Sequence, residues 1–468
     1  MHVIAEYAWL GGMAPERDVL VEISGGRITA VSPGATQGTN MAPGATQGTN
    51  LAPGATQGTK PPALTLPGLT LPGLANAHSH AFHRALRGRT QSGRGTFWTW
   101  REQMYALADR LDPDSYYRLA RATYAEMVLA GITCVGEFHY LHHAPGGTPY
   151  ADPNAMGHAL LAAARDAGLR ITLLDTLYLK STVDGAPLTG PQRRFGDGTL
   201  DRWAARVAAL KPAEHAIVGT AEHALGTAEH AIIGTAVHSV RAVPADDLAA
   251  LPVGTGPCHV HLSEQRVENE ACQARYGCSP TELLHSSGLL GAQTTVVHAT
   301  HLSDVDASLL GGTGTGVCFC PTTERDLADG IGPAADLVTA GSPLCLGSDS
   351  HAVIDLFEEA RAVELNERLR TGHRGHFSPA DLLGAATETG HRALGWPDAG
   401  RIAPGYRADL VTVNLDSVRT AGGEPLAAAV FAATAADVTH VFVDGVPVVT
   451  DGHHRSLDVV RELREAVE

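Results

Sequence analysis

Eight apolar, strand-like runs separated by helix-like stretches predict an α/β fold, a (β/α)8 barrel of the TIM type, with a small β-sandwich domain built from both chain ends. Three observations lead there. Strand and helix periodicities alternate between about residue 70 and residue 400. The candidate strands end near His80, His139, Thr176, His238, His261, His298, Cys320 and Asp349, and a parallel barrel gathers such ends at one mouth. Both termini, by contrast, carry short strand-like runs and turn signals. The expected boundaries are 1–68 with 400–468 for the small domain and 69–399 for the barrel.

Taken in order, the first ~30 residues alternate apolar runs with Gly-Gly and read as strands. Pro-Gly-Ala-Thr-Gln-Gly-Thr then repeats at 33, 43 and 53, a composition with little to bury that reads as a surface loop. Leu-Thr-Leu-Pro-Gly-Leu-Ala-Asn-Ala-His-Ser-His (69–80) ends in His78 and His80. Alternate strand residues share a side, so the two imidazoles aim at one point and begin a metal site that needs at least two more ligands. Helix-like stretches at Tyr116–Ala130, Met156–Ala167 and Leu356–Leu369 supply crossovers. Glu-His-Ala recurs at 214, 222 and 229, bringing His215, His223 and His230, and reads as a duplication in a helix-to-strand loop. Both repeats are too short for a solenoid, whose units need about 20–50 residues. His261, His298 and Asp349 each follow an apolar run. Beyond 400, Gly-Tyr-Arg-Ala-Asp-Leu-Val (405–411) and 438–449 read as strands, with a turn at Asp444-Gly445.

Composition narrows the partners. A formal charge of −16 over 468 residues argues against nucleic acid or an anionic membrane, while a local arginine cluster can still meet an anionic small molecule. The seven cysteines are odd in number and lack CxxC pairs, and Cys318 and Cys320 read as buried free thiols. The N-terminus lacks the basic start and apolar run of a secretory signal, and no stretch approaches roughly 20 apolar residues. A soluble, cytoplasmic enzyme is expected.

The His-x-His after Leu-Pro-Gly, the later His, His and Asp, and the closing Gly-Tyr-Arg-Ala-Asp-Leu-Val resemble the amidohydrolase superfamily. Within it, Phe-Trp-Thr-Trp-Arg-Glu-Gln-Met-Tyr (97–105), Glu-Phe-His-Tyr-Leu-His-His (137–143) and Cys-Pro-Thr-Thr-Glu (320–324) look like the formimidoylglutamate deiminases of histidine degradation. The similarity spans nearly the whole chain outside the two repeats. It implies one Zn2+ held by His78, His80, His261 and Asp349. It also implies acid–base chemistry by Glu264, His298 and Asp349, and a homodimer. Glu264, three residues after His261, must lie where the strand has become a loop, because i+3 on a strand faces away. The same resemblance assigns Arg101, Tyr140, His238 and Arg241 to a dicarboxylate substrate, guanidinium groups being suited to carboxylates. At the position where the family carries a substrate-contacting glutamine this chain has His83, which can still donate or accept a hydrogen bond.

Three rival readings follow. A related deaminase acting on a nucleobase or guanidino acid would keep the metal set, Glu264 and His298, but would not need the arginines. A two-metal amidase would want a bridging lysine, and Lys60, Lys180 and Lys211 all miss the end of the fourth strand. A non-catalytic barrel should lack a ligand or an acid, and none is missing.

Overall fold

The chain begins as an antiparallel meander and enters the barrel through a single glycine. In the computed structural model, residues 1–35, 63–91, 94–210, 230–251 and 256–468 are described. The first tandem repeat beyond residue 35, His215 and His223 of the second, Lys60 and Lys211 lie outside the described residues. Strands β1 (His2–Ala8), β2 (Glu16–Ser24) and β3 (Arg27–Ser32) are followed by β4 (Leu64–Pro72). β1 alternates buried and more exposed positions, as a sheet with one covered face should.

Eight parallel strands come next: β5 (Leu74–Ser79), β6 (Ile132–His139), β7 (Arg170–Leu177), β8 (Ala231–Val237), β9 (Cys258–Leu262), β10 (Thr294–His298), β11 (Gly316–Phe319) and β12 (Leu344–Leu346). β5, β6 and β7 are buried at every position, because helices cover the outside and side chains fill the inside. Helices Pro113–Leu129, Ala155–Ala167 and Leu356–Thr371 occupy three of the expected crossover positions. The first starts at Asp112, whose carboxylate accepts the Ser115 N–H at 2.8 Å, with Pro113 at the first helical position. The ring closes where β5 meets the segment after β12. Ser79 bridges Asp349 there, the His80 N–H donates to the Asp349 carbonyl at 3.1 Å, and the Asp349 N–H donates to the His78 carbonyl at 3.0 Å.

The C-terminal strands β13 (Leu410–Val413), β14 (Val438–Val443), β15 (Val446–Thr450) and β16 (His453–His454) return to the first sheet. Its order is β16-β15-β14-β13-β4-β1-β2-β3, so β4 joins the two chain ends. The sheet has an apolar cluster of its own, including Val3, Val19, Val21, Ile28, Leu66, Leu410 and Phe442. Asp444 and Gly445 both take positive φ (48° and 74°), as a tight right-twisted hairpin between β14 and β15 demands.

The terminal sheet runs to Pro72, and Gly73 alone separates it from β5. A Cβ on Gly73 would meet Thr133 Oγ1 at 2.3 Å and Asp409 Cβ at 2.8 Å, so only glycine fits this crossing. Beside it Arg170, at the start of β7, reaches out of the barrel to Asp409 and Asp444, and its guanidinium lies 5.2 Å from the Trp396 ring. No helix among the described residues is long and apolar enough to cross a membrane.

Candidate active site

At the C-terminal mouth of the barrel, β5 delivers His78 and His80, β9 delivers His261, β10 delivers His298, and the loop after β12 delivers Asp349. His78 and His261 approach through their Nε2 atoms at 3.1 Å. Asp349 Oδ1 lies 3.4 Å from His78 Nε2 and 3.3 Å from His80 Nε2. His298 Nε2 stands 3.8 Å from Asp349 Oδ2 and 3.8 Å from Glu264 Oε1. All four gathered imidazoles and Asp349 are buried.

Backbone partners fix two of the tautomers. His80 Nδ1 donates to the Phe138 carbonyl at 3.0 Å and His261 Nδ1 to the His238 carbonyl at 2.9 Å. A carbonyl only accepts, so each Nδ1 carries the proton and each Nε2 presents a lone pair. The His80 lone pair therefore faces a carboxylate and the His261 lone pair faces another ring nitrogen. The His78 tautomer is free to answer His261, but the contact of the His80 lone pair with the Asp349 carboxylate is repulsive unless a cation sits between them, and the donor set suits a divalent metal. Burial pushes His78, His80 and His261 well below the usual imidazole range, which keeps them neutral as ligands must be.

Local backbone aims these groups. Ser263 takes φ +50° immediately after β9, which turns the chain and brings Glu264 back toward the mouth. His298 (φ +71°) and Asp349 (φ +44°) are also left-handed, a conformation costly for non-glycine residues and concentrated at functional sites. Burial raises Glu264 above the ordinary carboxylate range, although His298 pulls it back. Burial would lower His298, but the carboxylates of Glu264, Glu324 and Asp349 outweigh it and hold it at about 10.

A buried polar chain supports the seam. The Ser348 N–H donates to Asn76 Oδ1 at 2.9 Å, and Asn76 Nδ2 donates to Ser348 Oγ at 2.7 Å, imitating a strand pair where the ladder is thin. His351 lies between Ser348 Oγ (3.0 Å) and Ser79 Oγ (3.1 Å). Ser79 Oγ also donates to Glu137 at 2.6 Å, and the Ala81 N–H donates to the same carboxylate at 2.7 Å. Glu137 thus holds both neighbours of His80, Ser79 by its hydroxyl and Ala81 by its backbone N–H. Burial pushes it up to about 7.

The wall beyond the ligand cluster holds His83, Arg101, Tyr140, His238 and Arg241, so the structure brings every sequence-nominated substrate residue to one cleft. His83 Nε2 is 2.9 Å from the Tyr140 hydroxyl. Trp100, Tyr105, Tyr178 and Phe195 share the wall, and sequence reasoning did not single them out. Glu137, Asn76, His351 and Glu324 were also missed. For Glu137 and Asn76 a signal existed, since each is a polar residue set among apolar neighbours in a strand that reads as buried. His139 and His142 lie with Asp175 in a separate buried group, where Arg206 already supplies the positive charge through 2.7 Å and 2.8 Å contacts to Asp175. Cys318 and Cys320 are buried and free, and Cys320 stands within 4.8 Å of ligand atoms of His298 and Asp349. β8 is followed by His238, so no lysine stands at that strand end. A larger cavity of about 560 Å³ between barrel and terminal sheet, lined by Trp9, Phe377, Glu388 and Arg401, has no such cluster among the described residues.

A parallel barrel with imidazole and carboxylate ligands converging at its C-terminal mouth defines a metal-dependent hydrolase. The chain belongs to the amidohydrolase family, whose model matches residues 69–448. It is 36% identical over 405 residues to the formimidoylglutamate deiminase of Pseudomonas aeruginosa, covering 83% of this chain and 86% of that protein. It is 32% identical over 404 residues to the 8-oxoguanine deaminase of the same organism, covering 85% and 84%. Among solved structures, an amidohydrolase from Brucella melitensis superposes with a TM-score of 0.83 at 30% identity, over 100% of this chain and 98% of that one. The chain is a metal-dependent hydrolase acting on C–N bonds.

Proposed function

We propose that this enzyme, a deaminase of the amidohydrolase family, hydrolyses N-formimino-L-glutamate to N-formyl-L-glutamate and ammonia, using one zinc ion per chain. One observation carries the choice of substrate. Arg101 and Arg241 face the same cleft as the ligand cluster, and neither forms an ion pair with a carboxylate among the described residues. Arg241 is tucked in with its Nε atom lacking any partner. Glu268 and Glu264 lie near enough to favour the charged form of Arg241 but make no direct pair with it, and a substrate carboxylate would supply the hydrogen-bonded partner.

His78, His80, His261 and Asp349 would hold the zinc, which when bound supplies a Lewis acid able to lower the pKa of a water to about 7. Asp349 takes a proton from the attacking water as its oxygen adds to the formimino carbon. His298, between Asp349 and Glu264, orients the reacting group. Glu264, held protonated more readily by burial, gives its proton to the departing nitrogen. Asp349 passes its proton to the same nitrogen, the C–N bond breaks and ammonia leaves, and the former water oxygen returns its remaining proton to Glu264 and becomes the formyl oxygen. Arg101, Arg241, His238, Tyr140 and His83 bind the glutamate portion throughout. A cytoplasmic homodimer fits this reading.

The test is ammonia release from N-formimino-L-glutamate by zinc-loaded protein, with 8-oxoguanine and N-guanidino-glutarate in parallel. Release from the formimino compound with N-formyl-L-glutamate as co-product supports the reading. Turnover of 8-oxoguanine in its place would keep the chemistry and discard the pocket assignment. Arg241→Leu is expected to cost about 2–5 kcal/mol of transition-state binding, roughly 30- to 4,000-fold in kcat/KM. The half-exposed Arg101 should cost less. An Arg241→Leu enzyme within about threefold of the parent would remove the argument from the unpaired guanidinium.

A further inference from the structure

Gln192 stands behind the cleft wall, on the turn Gly190–Arg194, and is almost fully buried. Its Nε2 group donates to two phenol oxygens, Tyr105 at 3.1 Å and Tyr178 at 3.3 Å. The orientation of the amide is fixed from the other end, because Oε1 accepts the Thr189 N–H at 3.5 Å and closes the cap of that turn. Both amide hydrogens are therefore spent on the tyrosines, and each phenol oxygen is occupied as an acceptor. Neither hydroxyl donates to a protein acceptor among the described residues. Both O–H groups are left to point into the cleft.

Their surroundings give that orientation a purpose. Tyr178 follows β7 directly, with its ring 4.5 Å from His238. Tyr105 lies one helical turn beyond Arg101 on helix Phe97–Ala108, and the Arg101 guanidinium sits 5.4 Å from its ring. Phe195 packs on both tyrosines, at 5.9 Å and 5.6 Å. Burial pushes the Tyr105 phenol up to about 12, so it keeps its proton near neutral pH. Two guanidiniums and two outward O–H groups make a donor-rich stretch of wall, with the Glu264 and Asp349 carboxylates elsewhere on the same cleft.

We infer that Tyr105 and Tyr178, oriented by Gln192, form a donor pair that selects a carboxylate over the corresponding amide at the arginine-lined end of the substrate. This deepens the proposed function and rests on it for the identity of the ligand. A carboxylate accepts from every member of the wall. A primary amide brings two N–H groups that would meet hydroxyls already committed as donors, so an unpaired donor would be buried. Gln192 touches no substrate in this scheme. It is a positioning residue.

The experiment compares full-length, metal-loaded parent, Gln192→Glu and the double variant Tyr105→Phe/Tyr178→Phe. Calorimetry gives Kd for two inert ligands, N-formyl-L-glutamate and N-formyl-L-glutamine, which differ only in carboxylate against amide. In Gln192→Glu the new carboxylate accepts from both tyrosines, turning their hydrogens away from the cleft and their lone pairs toward it. The carboxylate-over-amide preference should fall by about tenfold or more in both variants, as hydrogen bonds to a charged group imply. With N-formimino-L-glutamate the loss should fall on KM rather than kcat. If either folded variant keeps the parental preference, loses both ligands equally, or loses kcat rather than KM, the inference is overturned. A parent that itself binds the two ligands alike overturns it as well. Absence of ammonia release by the parent strikes the proposed function instead, because that assay does not depend on Gln192.

Discussion

Glu264→Gln should lower kcat by about 10²–10⁴-fold while the protein keeps its metal. The reason is positional. Glu264 lies beyond β9, re-aimed by the left-handed Ser263, and its carboxylate is 3.8 Å from His298 rather than among the His78, His80 and Asp349 atoms. Glutamine preserves volume and hydrogen-bonding capacity but has no proton to give to a leaving nitrogen. Turnover and metal content should therefore separate. Elemental analysis beside steady-state kinetics reads both. A variant that loses metal in proportion to activity would make Glu264 a ligand, and one that retains parental kcat would leave the reaction without its acid.

Arg170→Met should destabilise the fold by about 3–5 kcal/mol, the scale on which breaking a buried ion pair operates. Arg170 and Asp409 are 0% and 1% exposed. The arginine donates to Asp409 through both terminal nitrogens and lies 3.3 Å from Asp444. Removing the guanidinium strands Asp409 between barrel and terminal sheet, with the Asp444 N–H at 2.9 Å its remaining hydrogen bond among the described residues. Asp444 retains Arg407 at 3.1 Å. The double variant Arg170→Met/Asp409→Leu should consequently recover most of the loss, since a buried pair replaced by apolar groups is often neutral. Denaturation midpoints decide it. A single variant as stable as the parent, or a double variant worse than the single, would refute the account.

Gly-Tyr-Arg-Ala-Asp-Leu-Val was legible as a family-like ending, yet nothing local explained its aspartate. Asp409 finds its partner 239 residues away, and a lone arginine opening a strand has no periodic signature. The strand ends bearing His78, His80, His261, His298 and Asp349 were readable for the opposite reason. Apolar runs mark barrel strands, and the fold itself collects whatever follows them. The turn at Glu264 was readable from the parity of strand positions. The wall of the cleft was not. Tyr105, Tyr178 and Gln192 come from a helix, a strand end and a short turn, and only packing reveals that one amide serves both phenols. The reach of β4 to Pro72 was equally hidden, because its apolar run continues into β5 with Gly73 between.

Ser79 and Asp349 meet at the seam of the barrel, and the amide-to-serine clasp beside them joins residues 272 positions apart. Of the four proposed ligands, His78, His80 and His261 emerge from the ribosome on two segments before Asp349 does. A nascent chain cannot assemble the tetrad until its eighth barrel strand has been made and docked, so high-affinity metal capture becomes a late event in biosynthesis. Chains arrested before Asp349 should bind metal weakly. Full-length chains starved of metal should complete the ring with the His80 lone pair against the Asp349 carboxylate and be the more readily cleared by proteases.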